Sequence, residues 1–352
     1  MPGARHAGLL VAAASLLAVL AAAPVAASDL DVEAAIVGGY KAPKDRYKWY
    51  ATSIVRQYKV QEGFIEDEYI ALNKSMLNCG LTLIHPQVLL SAAHCLLSEG
   101  RWLDEWNPEL ISHTFPKASR AVRINAYRIS LEDKGTATRN VVATIVHRKY
   151  DEYNGLMNDL SLMLLDRPVR GPVMKLPRQL ATGAPKEAAG GTDLRLIGFG
   201  VTGFKPFLNY HDPFGDGEQP VLGFKNVFAS VLQEVPLRLN PPKVCWAKYS
   251  DKAPPYWGPK NDTFITNICA GVPWRKTTSC YGDSGGPLFI KGKTARDDVQ
   301  VGIVSYAREC GTTTPSVFVN VAHYRNWINT GVKILLGQAP KNPKLYRLRR
   351  KK

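Results

Sequence analysis

Past its first thirty residues the chain has no apolar run approaching the ~20 residues that a membrane-spanning helix needs. No two of its six cysteines have the CxxC spacing of a zinc site, so no structural metal is expected. Internal repeats are missing, and low-complexity sequence occurs only at the two ends. Helical periodicity is scarce as well. Acids are the minority charge, 30 against 45 Lys and Arg, for a formal net charge of +15. Neither an aromatic platform nor a helix-turn-helix pattern accompanies that excess, which argues against sequence-specific reading of nucleic acid.

What remains is a globular composition. An apolar content of 45% over 352 residues is enough for one large or two modest cores. The opening "MPGARHAGLLVAAASLLAVLAAAPVAASDL" has a short basic lead, an Ala/Leu run and then small residues. That is the layout of a secretory signal peptide over 1–27, cut near Ala27 or Ser28. A retained signal anchor is the alternative, disfavoured by the alanine-rich run and by Pro24. Export makes Cys79, Cys95, Cys245, Cys269, Cys280 and Cys310 readable as disulfides, but spacing alone leaves fifteen pairings open. Asn73 and Asn261 stand in N-glycosylation sequons. The end, 338–352, carries "KNPKLYRLRRKK" and seven of the positive charges without apolar periodicity. It is expected to be a flexible tail, either simply solubilising or able to attach to anionic glycans.

Between these ends the chain reads as short β segments separated by Gly, Pro and Asn, such as "CGLTLIHPQVLLSAAHC", "VVATIVH", "LSLMLLDRPV", "DLRLIGFG" and "VQVGIVSYA". This favours antiparallel barrels or sandwiches, an all-β class. One helix is expected late, in "VAHYRNWINTGVKILL". There Tyr324, Trp327, Ile328, Val332 and Leu335 make a single apolar stripe. Polar stretches at 57–74, 98–118 and 205–219 look like surface insertions.

Three segments carry chemistry: "SAAHC" with His94, "NDLSLMLL" with Asp159 and "CYGDSGGP" with Ser284. Serine acyl transfer needs a hydroxyl to attack, an imidazole to move its proton and a carboxylate to fix the imidazole tautomer. The order His, Asp, Ser is one of the known arrangements of that set. With "IVGG", "GFGVTG", "ICAG" and "GIVSY", these segments make the chain resemble the trypsin/chymotrypsin-like serine endopeptidases from Ile36 onward. The resemblance implies two six-stranded antiparallel β-barrels with a C-terminal helix over 36–337, changing barrel near 165–186.

The same resemblance assigns His94, Asp159 and Ser284 as the catalytic set, with the N–H groups of Gly282 and Ser284 as the oxyanion hole. Ser305 would support the aspartate. It pairs Cys79–Cys95, Cys245–Cys269 and Cys280–Cys310. The positions of a further frequent bridge are here Leu194 and Ile290, an apolar pair. The calcium loop of some relatives is not recognisable, since "RISLEDKGTATRN" offers only Glu132 and Asp133. No cofactor is implied.

Activation in such enzymes frees the amine before "IVGG", which would make 28–35 a short propeptide and pair Ile36 with Asp283. The residue before that cut is Ala35, where a basic residue is usual. The specificity pocket implied by the resemblance is formed by Thr278, Ser305, Tyr306, Ala307 and Ser316. With Thr278 where a Lys/Arg-selective enzyme has Asp, and with side chains at 307 and 316, it should favour small or medium apolar residues. Such a pocket would accept Ala35 itself, so self-activation in trans or cutting by a like enzyme is one route, and processing by some other secreted protease is the alternative. Direct removal of the segment by signal peptidase is disfavoured by Glu33. The expected partners are protein or peptide substrates and protein inhibitors, for a secreted, monomeric protein without a stable membrane anchor. The rival reading is a secreted homologue without catalysis, acting as a binding protein.

Overall fold

The computed structural model describes residues 38–54, 79–97, 121–129, 135–150, 156–178, 192–209, 221–249, 266–338 and 349–350. Ile36, Ala35, Glu132, Asp133, both sequon asparagines and the expected insertions at 57–74 and 98–118 lie outside them.

Strand β1 (Tyr40–Lys41) precedes six strands: β2 (Tyr50–Ile54), β3 (Gly80–His85), β4 (Val88–Ser91), β5 (Ala121–Ile124), β6 (Ala137–Val146) and β7 (Ser161–Leu165). These pair antiparallel in the order β6-β5-β2-β3-β4-β7, and a β6–β7 pairing closes the barrel. After a crossing between Leu165 and Asp193 come β8 (Asp193–Gly198), β9 (Val201–Asn209), β10 (Val221–Phe228), β11 (Gln233–Asn240), β12 (Asn267–Gly271), β13 (Pro287–Ile290), β14 (Val299–Tyr306) and β15 (Ser316–Asn320). Strands β11-β12-β15-β14-β13-β8 form the second barrel, closed by β8 against β11, with β1 added on β11. Strands β9 and β10 stand apart as a hairpin. Helix α1 (His94–Leu97) follows β4, α2 (Pro242–Tyr249) follows β11, and α3 (Arg325–Leu335) follows β15. The all-β, two-barrel expectation is met.

The near-continuous apolar runs have a physical reason. An exposed barrel strand alternates apolar and polar residues, but β4 and β7 have two dry faces. In β4, Leu89 packs inside the first barrel with Trp49, Leu81 and Leu83. Val88 and Leu90 point the other way, into a layer with Ile303 and Val319 of the second barrel and Ile328 of α3. Strand β7 divides likewise, with Met163 and Leu165 inside and Leu162 in the shared layer. The stripe expected on α3 largely fills this layer: Trp327, Ile328 and Leu335 are buried there with Tyr324 just ahead of the helix, Val332 is partly buried, and Ile334, outside the expected stripe, is buried too. Leu194 is buried in a cluster of the second barrel against which Ile290 packs.

Two stretches carry strand pairing that the sequence pattern does not announce. Lys205–Asn209, read as the start of an insertion, continue β9 and pair with Val221–Lys225. The stretch carries Pro206 and does not alternate, so its pairing is not visible in the sequence pattern. In the basic tail, Arg349 and Arg350 form a short strand, β16, opposite Thr144 and Ala143 of β6.

Candidate active site

Each residue of interest stands just outside a strand. His94 opens α1 directly after β4, Asp159 lies two residues before β7, and Ser284 lies on the loop leading into β13. The first two therefore come from the first barrel and the third from the second. The Gly80 N–H of β3 donates to the Ser284 carbonyl at 2.8 Å, a direct link between barrels at this loop.

The Asp159 carboxylate is fully buried and accepts three hydrogen bonds. His94 Nδ1 lies 2.8 Å from Oδ2, the His94 backbone N–H donates to Oδ1 at 2.9 Å, and the Ser305 hydroxyl donates to Oδ2 at 2.6 Å. A carboxylate only accepts, so the shared proton sits on Nδ1 and Nε2 keeps its lone pair. Burial pulls the His94 pKa down, but the charge of Asp159 and its hydrogen bond together outweigh that, leaving it above the usual value. Among the described residues no hydrogen bond joins the Ser284 hydroxyl to His94. Such contacts commonly tighten only when substrate is bound.

Gly282 has φ +91°, a conformation that side chains rarely adopt, and a Cβ there would meet the Phe228 ring at 3.2 Å. Its neighbour Asp283 is fully buried, with its carboxylate taking the N–H groups of Gly200 (3.0 Å) and Cys280 (2.9 Å). A Cβ on Gly200 would collide with that carboxylate, so the glycine makes the approach possible. Burial pushes the Asp283 pKa up to about 7, against the lowering effect of the two N–H groups.

Thr278 and Ser316 are both fully buried. The Thr278 hydroxyl accepts the Gly311 N–H at 2.9 Å, and the Ser316 hydroxyl accepts the Ser279 N–H at 2.9 Å. Ser305 and Tyr306 end β14, and Ala307 follows them, partly exposed. Burial, then the charge of Asp159, raises the Tyr306 hydroxyl to about 12. Disulfides join Cys79–Cys95, Cys245–Cys269 and Cys280–Cys310, the pairs implied by the resemblance. The first lies beside His94 and the third holds the Thr278 loop to the segment after β14.

A family model described as Trypsin matches residues 36–328. The chain belongs to the trypsin family of serine proteases. Its relatives include mast cell protease 3 of Ovis aries, 28% identical over 254 residues that make up 71% of this chain and 76% of that protein. Chymase of Canis lupus familiaris is 29% identical over 275 residues, 76% of this chain and 83% of its own length. Glucanase inhibitor protein 3 of Phytophthora infestans is also similar, 27% identical over 256 residues, 72% and 78% of the two chains.

Within this trypsin-family frame the structure brings His94, Asp159 and Ser305 into direct contact and sets Gly282, Asp283 and Ser284 on one loop. Two residues were not singled out for a role at the site by their place in the sequence. Asn158 adjoins Asp159 with φ 57°, and Tyr324, seen only as part of the helix stripe, donates its hydroxyl to Asn158 Oδ1 at 2.9 Å. The signal available was the "ND" dipeptide, since asparagine tolerates the left-handed region better than most residues.

Proposed function

We propose that the chain is an exported serine endopeptidase that cleaves through an acyl-enzyme, preferring small or medium apolar residues before the scissile bond. The observation that carries this reading is the buried Asp159 carboxylate, shared between His94 Nδ1, the His94 backbone and Ser305. That arrangement leaves Nε2 as a base whose protonated form is stabilised by the carboxylate behind it.

In the proposed reaction the Ser284 oxygen attacks the substrate carbonyl while its proton passes to His94 Nε2. The tetrahedral oxyanion is received by the N–H groups of Gly282 and Ser284, a contribution typically worth about 10²–10³ in rate per donor. Collapse expels the amine, which takes the proton from Nε2, and water then repeats the sequence on the ester. The rate should rise with pH as His94 loses its proton, with a midpoint above that of an ordinary imidazole.

The pocket reading is supported by chemistry at its floor. Thr278 brings no carboxylate to meet Lys or Arg, and the Thr278 and Ser316 hydroxyls are already engaged with backbone N–H groups. Ala35 fits such a pocket, so activation after Ala35 by the enzyme itself or one like it follows from the same reading. The freed Ile36 ammonium would neutralise Asp283, whose buried carboxylate is otherwise costly to ionise.

Ser284→Ala should abolish hydrolysis of an alanyl peptide nitroanilide without reducing the amount of protein exported. A serine-directed phosphonate should label the wild type alone. In clean host cells the Ser284→Ala form should retain the segment before Ile36. If it begins at Ile36 there, self-cleavage is not required. A wild type that neither hydrolyses nor labels overturns the enzyme reading in favour of a binding protein, and one relative does carry an inhibitor's name.

A further inference from the structure

Asp159 sits within a tight bend. The Leu160 N–H donates back to the Asn158 carbonyl at 2.9 Å, and Asn158 holds φ 57°, with Leu156 at φ 52° just before it. Non-glycine residues keep such angles only where their surroundings enforce them. Here both ends of the Asn158 amide are held. Its Nδ2 donates to the Lys149 carbonyl at 2.8 Å, and its Oδ1 accepts the Tyr324 hydroxyl at 2.9 Å.

Tyr324 is buried at the mouth of α3. Its ring meets His147 edge-on at 5.4 Å and His323 at 4.7 Å, while Trp327 closes on His147 at 5.3 Å. The helix that seals the first barrel thus reaches the residue next to Asp159.

We propose that Tyr324 is a positioning residue for Asp159, its hydroxyl fixing through Asn158 the backbone from which the carboxylate meets His94. The contacts to the carboxylate itself, from His94 and Ser305, hold its oxygens. The bend at Asn158, together with the His147 N–H bond to the Leu160 carbonyl at 3.2 Å, sets the backbone that carries them. A displacement of about 1 Å at such a group can lower a rate on the order of 10²-fold. This inference rests on the roles given above to His94 and Asp159.

The groups facing this relay are Thr266, whose side chain also hydrogen-bonds the Tyr324 hydroxyl, His147 at the end of β6 with Arg148 and Lys149 behind it, His323 ahead of α3, and Tyr306 at the end of β14. Burial, then Lys149, Arg148 and His323, lower His147 to about 4, and burial lowers His323. Both shifts run opposite to that of His94, which separates its titration from theirs.

The test uses the processed protein and two readouts: hydrolysis of an alanyl peptide nitroanilide against pH, and titration of the His94 ring by NMR, which needs no turnover. Tyr324→Phe should lower kcat about threefold to tenfold, the usual worth of one hydrogen bond, with KM little changed. It should also move the His94 midpoint to lower pH, because Asp159 is less well placed to stabilise the imidazolium. Asn158→Gly accepts the left-handed backbone without the side chain, and in that background Tyr324→Phe should have no further effect. An unmoved His94 titration in Tyr324→Phe, even with a lowered melting temperature, overturns the proposal. So does an equal effect of Tyr324→Phe in both backgrounds. A wild type that titrates as described but does not hydrolyse refutes the enzyme reading and leaves this one standing on the NMR result.

Discussion

Thr278 is fully buried with its hydroxyl turned to the Gly311 N–H, so its contribution to the proposed pocket is shape and the absence of charge. Selectivity built on shape is graded, about 1–3 kcal/mol for one misplaced methylene. A charge is a coarser lever, because a buried carboxylate is expensive until a cation arrives. Thr278→Asp can still accept the Gly311 N–H, so the loop keeps its fastening. With that variant kcat/KM for an alanyl substrate should fall at least about tenfold, while lysyl and arginyl peptides become the better substrates. A peptide library read at the residue before the cut decides it. An unaltered preference would mean that Thr278 is not on the pocket floor.

The segment around β1 shows how an element is secured by charge that no motif announces. Glu234 of β11 is fully buried opposite Tyr40 in the sheet. It takes the Tyr47 hydroxyl at 2.6 Å, the Tyr40 hydroxyl at 3.2 Å and Lys291 Nζ at 2.9 Å, with Arg195 Nε at 3.1 Å. A second buried acid, Asp298, holds Arg46 at 2.6 and 2.7 Å and the Trp49 indole N–H at 3.0 Å. Breaking a wholly buried pair costs about 3–5 kcal/mol. Arg195 and Lys291 keep some contact with water, so Glu234→Ala should destabilise by a smaller amount, roughly 2–3 kcal/mol, and Glu234→Gln by less. Urea midpoints of the two variants measure this, and a Glu234→Gln midpoint equal to that of the wild type would show that the charge is irrelevant. Neither acid was legible beforehand, because a polar residue in "LQEVPL" looks like the solvent face of a strand. His94, Asp159 and Ser284 could be picked out as candidates for the opposite reason: acyl transfer would restrict both their types and their neighbours. The strands could be read because β-branched and leucine runs mark dry faces. The bend at Asn158 could not, since its partner Tyr324 lies far along the chain and served equally well as a core residue.

Asp283 connects the condition of the whole chain to pH. Burial holds its folded pKa near 7 against about 3.9 for an unfolded aspartate. Between those values the folded form binds more protons than the unfolded one, so stability falls as pH rises through that window and the loss is complete above it. At about 1.4 kcal/mol per pH unit the loss is on the order of 4 kcal/mol. In the chain freed at Ile36 the ammonium would pair with this carboxylate and pull its pKa down, removing the slope. The amine, raised above its usual 7.7–8.0 by that partner, would contribute stability that is full below pH ~8 and lost as pH rises through its folded value. The Ser284→Ala protein, immune to its own cutting, can be compared in both forms, uncut and cut by an added protease. Urea midpoints from pH 4 to 10 should decline between 4 and 7 in the uncut form. In the cut form they should hold level there and decline only above about 8. Parallel curves would show that Asp283 never meets the new chain end, and the proposed link between cleavage and the Gly282 loop would fall with it.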